Sequence, residues 1–443
     1  MLLLGNGSLI TRDPQNPWLA EGCVAMEGGR IVALGSTAAL HARYPEADWL
    51  DARGGIIMPG LINAHEHIYS AFARGMAVRG YNPKGFLDIL EGLWWTLDRH
   101  LTVEDSRLSA DATFLDCIQN GVTTVFDHHA SYGEIPGSLF AIGESARKYG
   151  VRASLCYEVS DRGGEAKMRE GVQENVAWIR HAKQDATGML AGMFGLHAQF
   201  TLSDATLRYC REQLPEGTGF HIHVAEGIDD VYACLREHGK RPVDRLLDFD
   251  ILGPETLCGH CTHVSEAEMD TLKATDTAVA HNPESNMGNA IGCPPTLRML
   301  YKGIRVGLGT DGYTNDMLES LKVAKLLHQH NLHDATVAWA EAPQMLFANN
   351  AALASHAFGR ELGVLKPGAA ADVIALDYAP PTPMDATNLD GHVLFGMSGR
   401  QVRHTVIDGQ VRLCDRAFVD ADAQAVPARC REAAAALWRR INA

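Results

Sequence analysis

At 443 residues, with 46% apolar residues and a net charge of −15, the chain can bury one large core with an appendage, or two to three smaller ones. The acidic balance argues against nucleic acid as a partner, because phosphate contacts need clustered Lys and Arg. No apolar run of about 18 residues could span a bilayer. The start "MLLLGNGSLI" breaks too early for a signal peptide, and ten scattered cysteines without a secretory signal read as reduced thiols in the cytoplasm.

In chain order, residues 1–57 contain "CVAMEGGRIVALG", two apolar runs about Gly-Gly, which predicts a β-hairpin. Next comes "PGLINAHEHIYS", an apolar run ending in His65 and His67. Period-2 geometry puts both rings on one face of a strand. By itself the pair could hold a metal or simply end a buried strand. From here a cadence repeats: a helical stretch ending near Gly, a short apolar run, then polar residues. "LDCIQNGVTTVFDHH", "SARKYGVRASLCYE" and "EQLPEGTGFHIHVAE" are three instances. Gly ends a helix well, and apolar runs of about four to six residues fit strands buried on both faces. Eight such runs lie near 57–64, 122–127, 151–157, 191–197, 218–224, 256–260, 277–281 and 304–310. Alternation with helices over about 260 residues favours an α/β fold, a (β/α)₈ TIM-like barrel, over a doubly wound sheet. Residues 362–413 return to strand–turn–strand patterns in "GVLKPGAAADVIALD" and "VRHTVIDGQVRL". Neither end could bury a core alone. The expected organisation is a small β-sandwich domain built from 1–57 and 362–415, a barrel over 58–361 and a C-terminal helix over 416–443. The Arg-rich end of that helix suits the negative end of its dipole.

Active sites of such barrels collect at the C-terminal ends of the strands. The first run ends with His65 and His67, the second with Asp127, His128 and His129. The third ends "CYEVSD", without a histidine. The fourth ends with His197, the fifth with His221 and His223, then Glu226. His260 and His263 end the sixth, His281 the seventh and Asp311 the eighth. Ten of the chain's 20 histidines therefore sit at these ends, which chance does not explain. Neutral imidazole and carboxylate suit Zn²⁺ or Fe²⁺, and a catalytic metal lowers the pKa of its water towards about 7. His65, His67, His223 and Asp311 would supply three nitrogens and one carboxylate. Glu226 could shuttle a proton, and His260 could orient the attacking group or stabilise charge.

Plainer readings compete. Asp311 could be a turn residue in "TDG". His263 could cap a helix, and His281 and Asn286 could line a pocket or fix their own loops. Alternation lets only one of His128 and His129 face the mouth, and His221 reads as a residue behind the ligands or in the pocket. Cys258 and Cys261 form a lone C-x-x-C, a weak sign of redox or zinc chemistry. Of Trp94 and Trp95, one is expected in a helix core and the other on the pocket wall.

"PGLINAHEH", "HVAE", "GHCTH", "HNPESN" and "GLGTDG", in that order, make the chain resemble the amidohydrolase superfamily in its cytosine deaminase and triazine hydrolase branch. "LWWTLDR", "FDHHAS", "GVQENV", "HIHVAEGIDDV" and "FGMSGR" resemble the SsnA group of aminohydrolases. The resemblance covers nearly the whole chain. It implies one divalent metal, zinc before iron, on His65, His67, His223 and Asp311, with proton transfer by Glu226 and support from His260. A single metal is implied because the fourth run carries His197 and no lysine. His197 and a carboxylate near Asp98 would contact substrate, with His281 and Asn286 as further candidates. "HAQFT" stands where the family has an "HAPFT"-like run, so Gln199 leaves that loop's contacts open. A homodimer follows from the resemblance only. The expected reaction is hydrolytic deamination of a small-molecule nitrogen heterocycle (purine, pyrimidine or triazine-like) through metal-bound hydroxide, with water as co-substrate. Asp311 and His260 would accept the water's proton, and Glu226 would protonate a ring nitrogen. The alternatives are hydrolysis of a cyclic amide, displacement of halide or alkylamine from a triazine-like ring, and a non-catalytic metal- or ligand-binding barrel.

Overall fold

The computed structural model describes residues 1–422 and 424–443. The first apolar runs form β1 (Leu2–Ile10), β2 (Trp18–Glu27) and β3 (Arg30–Ser36), paired antiparallel. Gly28 and Gly29 turn the β2–β3 hairpin with φ of 56° and 75°, which L side chains seldom adopt. Two further strands, β4 (Asp48–Asp51) and β5 (Ile56–Pro59), lie parallel to β1.

The middle of the chain is a mixed α/β unit with two parallel sheets. One holds β6 (Leu61–Glu66), β7 (Val122–His129), β8 (Arg152–Tyr157) and β9 (Leu190–Gly192). The other holds β10 (Phe194–Ala198), β11 (Phe220–Val224), β12 (Leu257–His260), β13 (Ala278–His281) and β14 (Val306–Leu308). Every residue of β7, β8, β10 and β11 is buried, as expected for strands covered on both faces. Helices connect most successive strands, among them Val103–Gln119, Ser138–Tyr149 and Gly164–Ala182. Isolated parallel bridges join the two sheets at both borders, Val159 with Leu196 and Glu66 with Asp311.

The chain returns to its first strands at the end. β15 (Val373–Leu376) runs antiparallel to β5, and β16 (Val402–Ile407), β17 (Gln410–Cys414) and β18 (Ala417–Phe418) follow outward. Both chain ends thus share one nine-stranded hydrogen-bonded sheet. The last helix, Ala425–Ile441, lies on the helix Val103–Gln119, with Arg440 paired to Asp105 and the Trp438 Nε1–H donating to the Phe72 carbonyl at 2.7 Å.

Two predicted runs prove to be two strands each. The run at 57–64 is interrupted at Gly60, so β5 joins the sheet of the chain ends while β6 opens the parallel sheet. A Cβ at Gly60 would sit 2.3 Å from Cγ2 and Oγ1 of Thr123, so only glycine lets the crossing chain pass so near β7. The run at 191–197 is interrupted at Met193, where pairing passes from β8 to β11. Among the described residues no helix is long and apolar enough to cross a membrane. The ten cysteines are free, Cys258 and Cys261 included.

Candidate active site

The alternation of β6 and its continuation brings His65 and His67 to the same region, ring centroids 5.0 Å apart. His223, at the end of β11, lies 5.1 Å from His65 and 5.2 Å from His67. The hydrogen bonds decide which nitrogens are free. His67 donates its Nδ1–H to the His128 carbonyl at 2.5 Å, and His223 donates its own to the His197 carbonyl at 2.9 Å. Both Nε2 atoms then present lone pairs, and they face each other at 3.3 Å. With both rings neutral these lone pairs repel, which either a metal cation or a proton on His67 relieves. Carbonyl acceptors behind ligating imidazoles are also what fixes their tautomer in metal sites. His65 adds an Nε2 that is buried without a hydrogen-bond partner, while its Nδ1 lies 2.8 Å from His221 Nε2.

Asp311 completes the group. It follows β14 in a left-handed conformation, φ 57°, with its N–H donated to the His65 carbonyl. Its Oδ1 lies 3.0 Å from His67 Nε2. One ligand atom each from His65, His67 and Asp311 fall within 4.8 Å of one another, as do those of Glu226, His260 and Asp311. The surroundings call for positive charge here. Burial disfavours an imidazolium at His67, yet Asp311 and Glu158 outweigh it and raise its pKa to about 10. The buried orphan nitrogen, the opposed lone pairs and the three-nitrogen, one-carboxylate donor set all fit a single divalent metal ion.

Proton-carrying groups flank this cluster. His260 donates its Nδ1–H to Asn286 Oδ1 at 2.8 Å. Its Nε2 is thereby left facing Asp311 Oδ2 at 3.5 Å and Glu226 Oε1 at 3.7 Å. Burial pushes the Glu226 carboxyl well above its usual range, and the nearby Asp311 charge adds to the effect. For Asp311 burial acts in the same direction, but His67 outweighs it and holds the group well below the carboxylate range. Two neighbouring carboxyls with opposite proton preference are a signature of acid–base chemistry.

The cluster opens into a cavity at the strand ends. Of the sequence-derived candidates, His67, His223, Glu226, Asp311, His197 and Asp98 line it. His65 and His260 lie just beneath, fully buried. Asn286 is hydrogen-bonded to His260 and is not on the wall. His281 is also off the wall: it is fully buried and packs on His328 with centroids 5.0 Å apart. Its ring sits against the helix Met317–Leu332 and away from the cavity. Trp94 and Trp95 both face the cavity, in place of one in a core and one on the wall, because the insertion after β6 folds back over the strand ends as short helical turns. His221 and His128 stack behind the ligands, and the His128 Nε2–H donates to the His221 carbonyl at 2.9 Å. His129 lies buried between Tyr69 and Tyr157. Gln199 anchors its loop by donating to Asp230 and accepting from Arg245.

Glu158, the residue after β8, is the participant the histidine pattern passed over. Its Oε1 lies 3.3 Å from His67 Nδ1 and 3.2 Å from His128 Nδ1, and its Oε2 lies 3.9 Å from His197 Nε2. It lines the cavity and is 2% exposed. Burial would raise its pKa, but the surrounding histidines, His128 foremost, lower it to about 2. Its place at a strand's C-terminal end was the signal that could have found it. Nearby, Asp98 is paired with Arg162 at 2.9 Å, and the guanidinium stacks over Trp95 and Tyr132.

Known proteins resemble the chain over its whole length. The chain is 31% identical to the 5'-deoxyadenosine deaminase of Methanosarcina mazei over 447 residues, covering 100% of this chain and 99% of that one. Among solved structures, a zinc-bound adenosine deaminase from Xanthomonas campestris superposes with a TM-score of 0.86 at 23% identity, covering 99% of this chain and 98% of that one. The atrazine chlorohydrolase of Arthrobacter aurescens complexed with zinc gives 0.82 at 22%, covering 98% and 100%. The imidazolonepropionase-like composite domain model matches residues 22–47. The Amidohydrolase family model matches residues 56–412, most of the length and every candidate ligand, and the chain belongs to that family.

Proposed function

We propose that the protein is a metal-dependent hydrolase that deaminates an amino-substituted nitrogen heterocycle, with an aminated purine as the leading class. The observation that carries this reading is the meeting of His67 Nε2 and His223 Nε2 at 3.3 Å, both Nδ1–H groups committed to carbonyls, beside Glu226, whose burial favours the protonated carboxyl. The full-length relatedness to a deaminase of 5'-deoxyadenosine supports the choice of bond and ring. In this reading β6, β7, β8 and β10 to β14 supply the eight strands of a closed (β/α)₈ barrel over 58–361, with β9 a short extension on β8. Segments 1–57 and 362–415 pair as the small β-domain, and 416–443 carries the last helix.

His65, His67, His223 and Asp311 would hold the metal, zinc before iron, and when bound it makes water a competent nucleophile near neutral pH. The remaining steps belong to the chain. His260, its Nδ1–H fixed on Asn286, presents Nε2 between the carboxylates of Asp311 and Glu226 and passes a proton between them. Asp311 and His260 take the proton of the attacking water. Glu226 delivers its proton to a ring nitrogen, the departing amine collects the one drawn from water by Asp311 and His260, and the adduct's hydroxyl proton returns to Glu226 as the carbonyl forms. Ammonia leaves and the ring keeps a carbonyl. Trp94, Trp95 and Phe86 would clasp the ring.

The test is ammonia release from aminated purines, pyrimidines and triazines by protein of measured zinc content, with chloride and alkylamine release assayed alongside. Ammonia from at least one ring is expected. Zinc-loaded protein that releases only chloride or alkylamine, or nothing, overturns the reading.

A further inference from the structure

Glu158 has no part in the proton transfers above, yet its environment is costly. Oε1 is buried without a hydrogen-bond partner. The His67 Nδ1–H beside it is already given to the His128 carbonyl, and His128 Nδ1, at 3.2 Å, is out of hydrogen-bonding alignment. Asp98, further along the same wall, repeats the pattern: Oδ2 accepts from Arg162, while Oδ1 is buried and unpartnered. Arg162 cannot swing to relieve either one, because Trp95, Tyr132 and the Ser160 hydroxyl hold it. Buried acceptors are normally satisfied. Glu158 Oε1 and Asp98 Oδ1 are closed off from the cavity. Glu158 Oε2, however, accepts no hydrogen bond among the described residues, has His197 Nε2 no nearer than 3.9 Å and belongs to a residue on the cavity wall, so it calls for a donor from whatever fills the cavity.

Position says which part of the ligand supplies them. Asp311 lies against the Nε2 edge of the His67 ring, Glu158 against the Nδ1 edge. A group held by Glu158 is therefore turned away from the reacting cluster. We propose that Glu158, assisted by Asp98, orients the substrate by accepting hydrogen bonds from donors on its non-reacting edge, so that the protein selects amino-heterocycles carrying an N–H or hydroxyl there. This rests on the deaminase reading. A ring methylated at that edge would leave Glu158 Oε2 without a donor, a loss that sites built around hydrogen bonds punish heavily.

The experiment compares, for each ring active in the ammonia screen, the free base, its N-methyl form and its N-ribosyl form; for adenine these are adenine, 9-methyladenine and adenosine. Expected is a kcat/KM for at least one donor-bearing form about 100-fold above the methyl form. Preference for the base identifies a ring N–H, and preference for the nucleoside a sugar hydroxyl. In Glu158→Gln the ratio should collapse to about threefold or less, mainly through KM, with zinc content and melting temperature retained. Should that variant not fold, Asp98→Asn should narrow the ratio instead. A methyl form turned over as well as both donor-bearing forms overturns the inference alone, as does an unchanged ratio in the folded variant. Absence of ammonia from every ring overturns the deaminase reading and this inference with it.

Discussion

His67 and His223 come from strands 156 residues apart and meet nitrogen to nitrogen at 3.3 Å. Each has its other nitrogen tied to a carbonyl of a neighbouring strand end, so neither ring can turn away. That enforced opposition is the structural core of the metal assignment. It predicts one zinc per chain by atomic emission, lost in His67→Ala and His223→Ala. Chelation should abolish activity, zinc should restore it, and the melting temperature should fall on metal removal because the ion binds the folded state preferentially.

Glu226 lines the cavity with its Oε1 3.7 Å from His260 Nε2. Glu226→Gln keeps the shape and loses the exchangeable proton. Zinc content should be unchanged while kcat falls about 10²- to 10⁴-fold. Wild-type turnover in the zinc-loaded variant would remove Glu226 from the reaction.

Asn286 touches the candidate site through its 2.8 Å contact with His260 Nδ1, which a positioning role would use. Asn286→Ala should lower kcat about 10-fold with little change in KM, as loss of outer partners typically does. Asn286→Asp, which restores the acceptor, should recover part of the loss. Equal losses in both variants would point to a packing defect.

Burial, opposed by Arg162, raises the Asp98 pKa from the ordinary 3.8 to about 7. The folded protein therefore holds this proton to higher pH than the unfolded chain. Stability contributed here is complete below about pH 4 and declines as pH rises towards 7. Asp98→Asn should flatten that segment of the stability–pH curve in urea titrations. In the wild-type protein, KM for donor-bearing substrates should fall between pH 6 and 8 as the carboxylate forms, if it assists in binding substrate; a flat KM would sink that role.

At Gly60, Ala would drive its methyl into Thr123 at 2.3 Å. Gly60→Ala should cost about 1–3 kcal/mol, the usual range for overpacking, read by denaturant unfolding. A neutral result would show that the crossing between the two sheets yields easily.

Much of this was legible in the residues alone. Alternation placed His65 with His67, and strand-end position gathered His223, His260 and Asp311, because a strand's period of two determines which side chains share a face. The apolar runs and their glycine stops likewise marked the parallel strands. Other features depended on packing. Gly60 divides β5 from β6 only because β7 passes so close. Asn286 became the partner of His260, and His281 a core residue against His328, through contacts between elements that no spacing encodes. Glu158 carried no histidine label, and its meaning arises from three rings brought to its carboxylate by different strands. Local periodicity specifies direction along one strand. Which groups meet across the mouth, and which nitrogen each ring leaves free, is decided by register between strands and by carbonyls of neighbouring strands, which only the folded structure brings together.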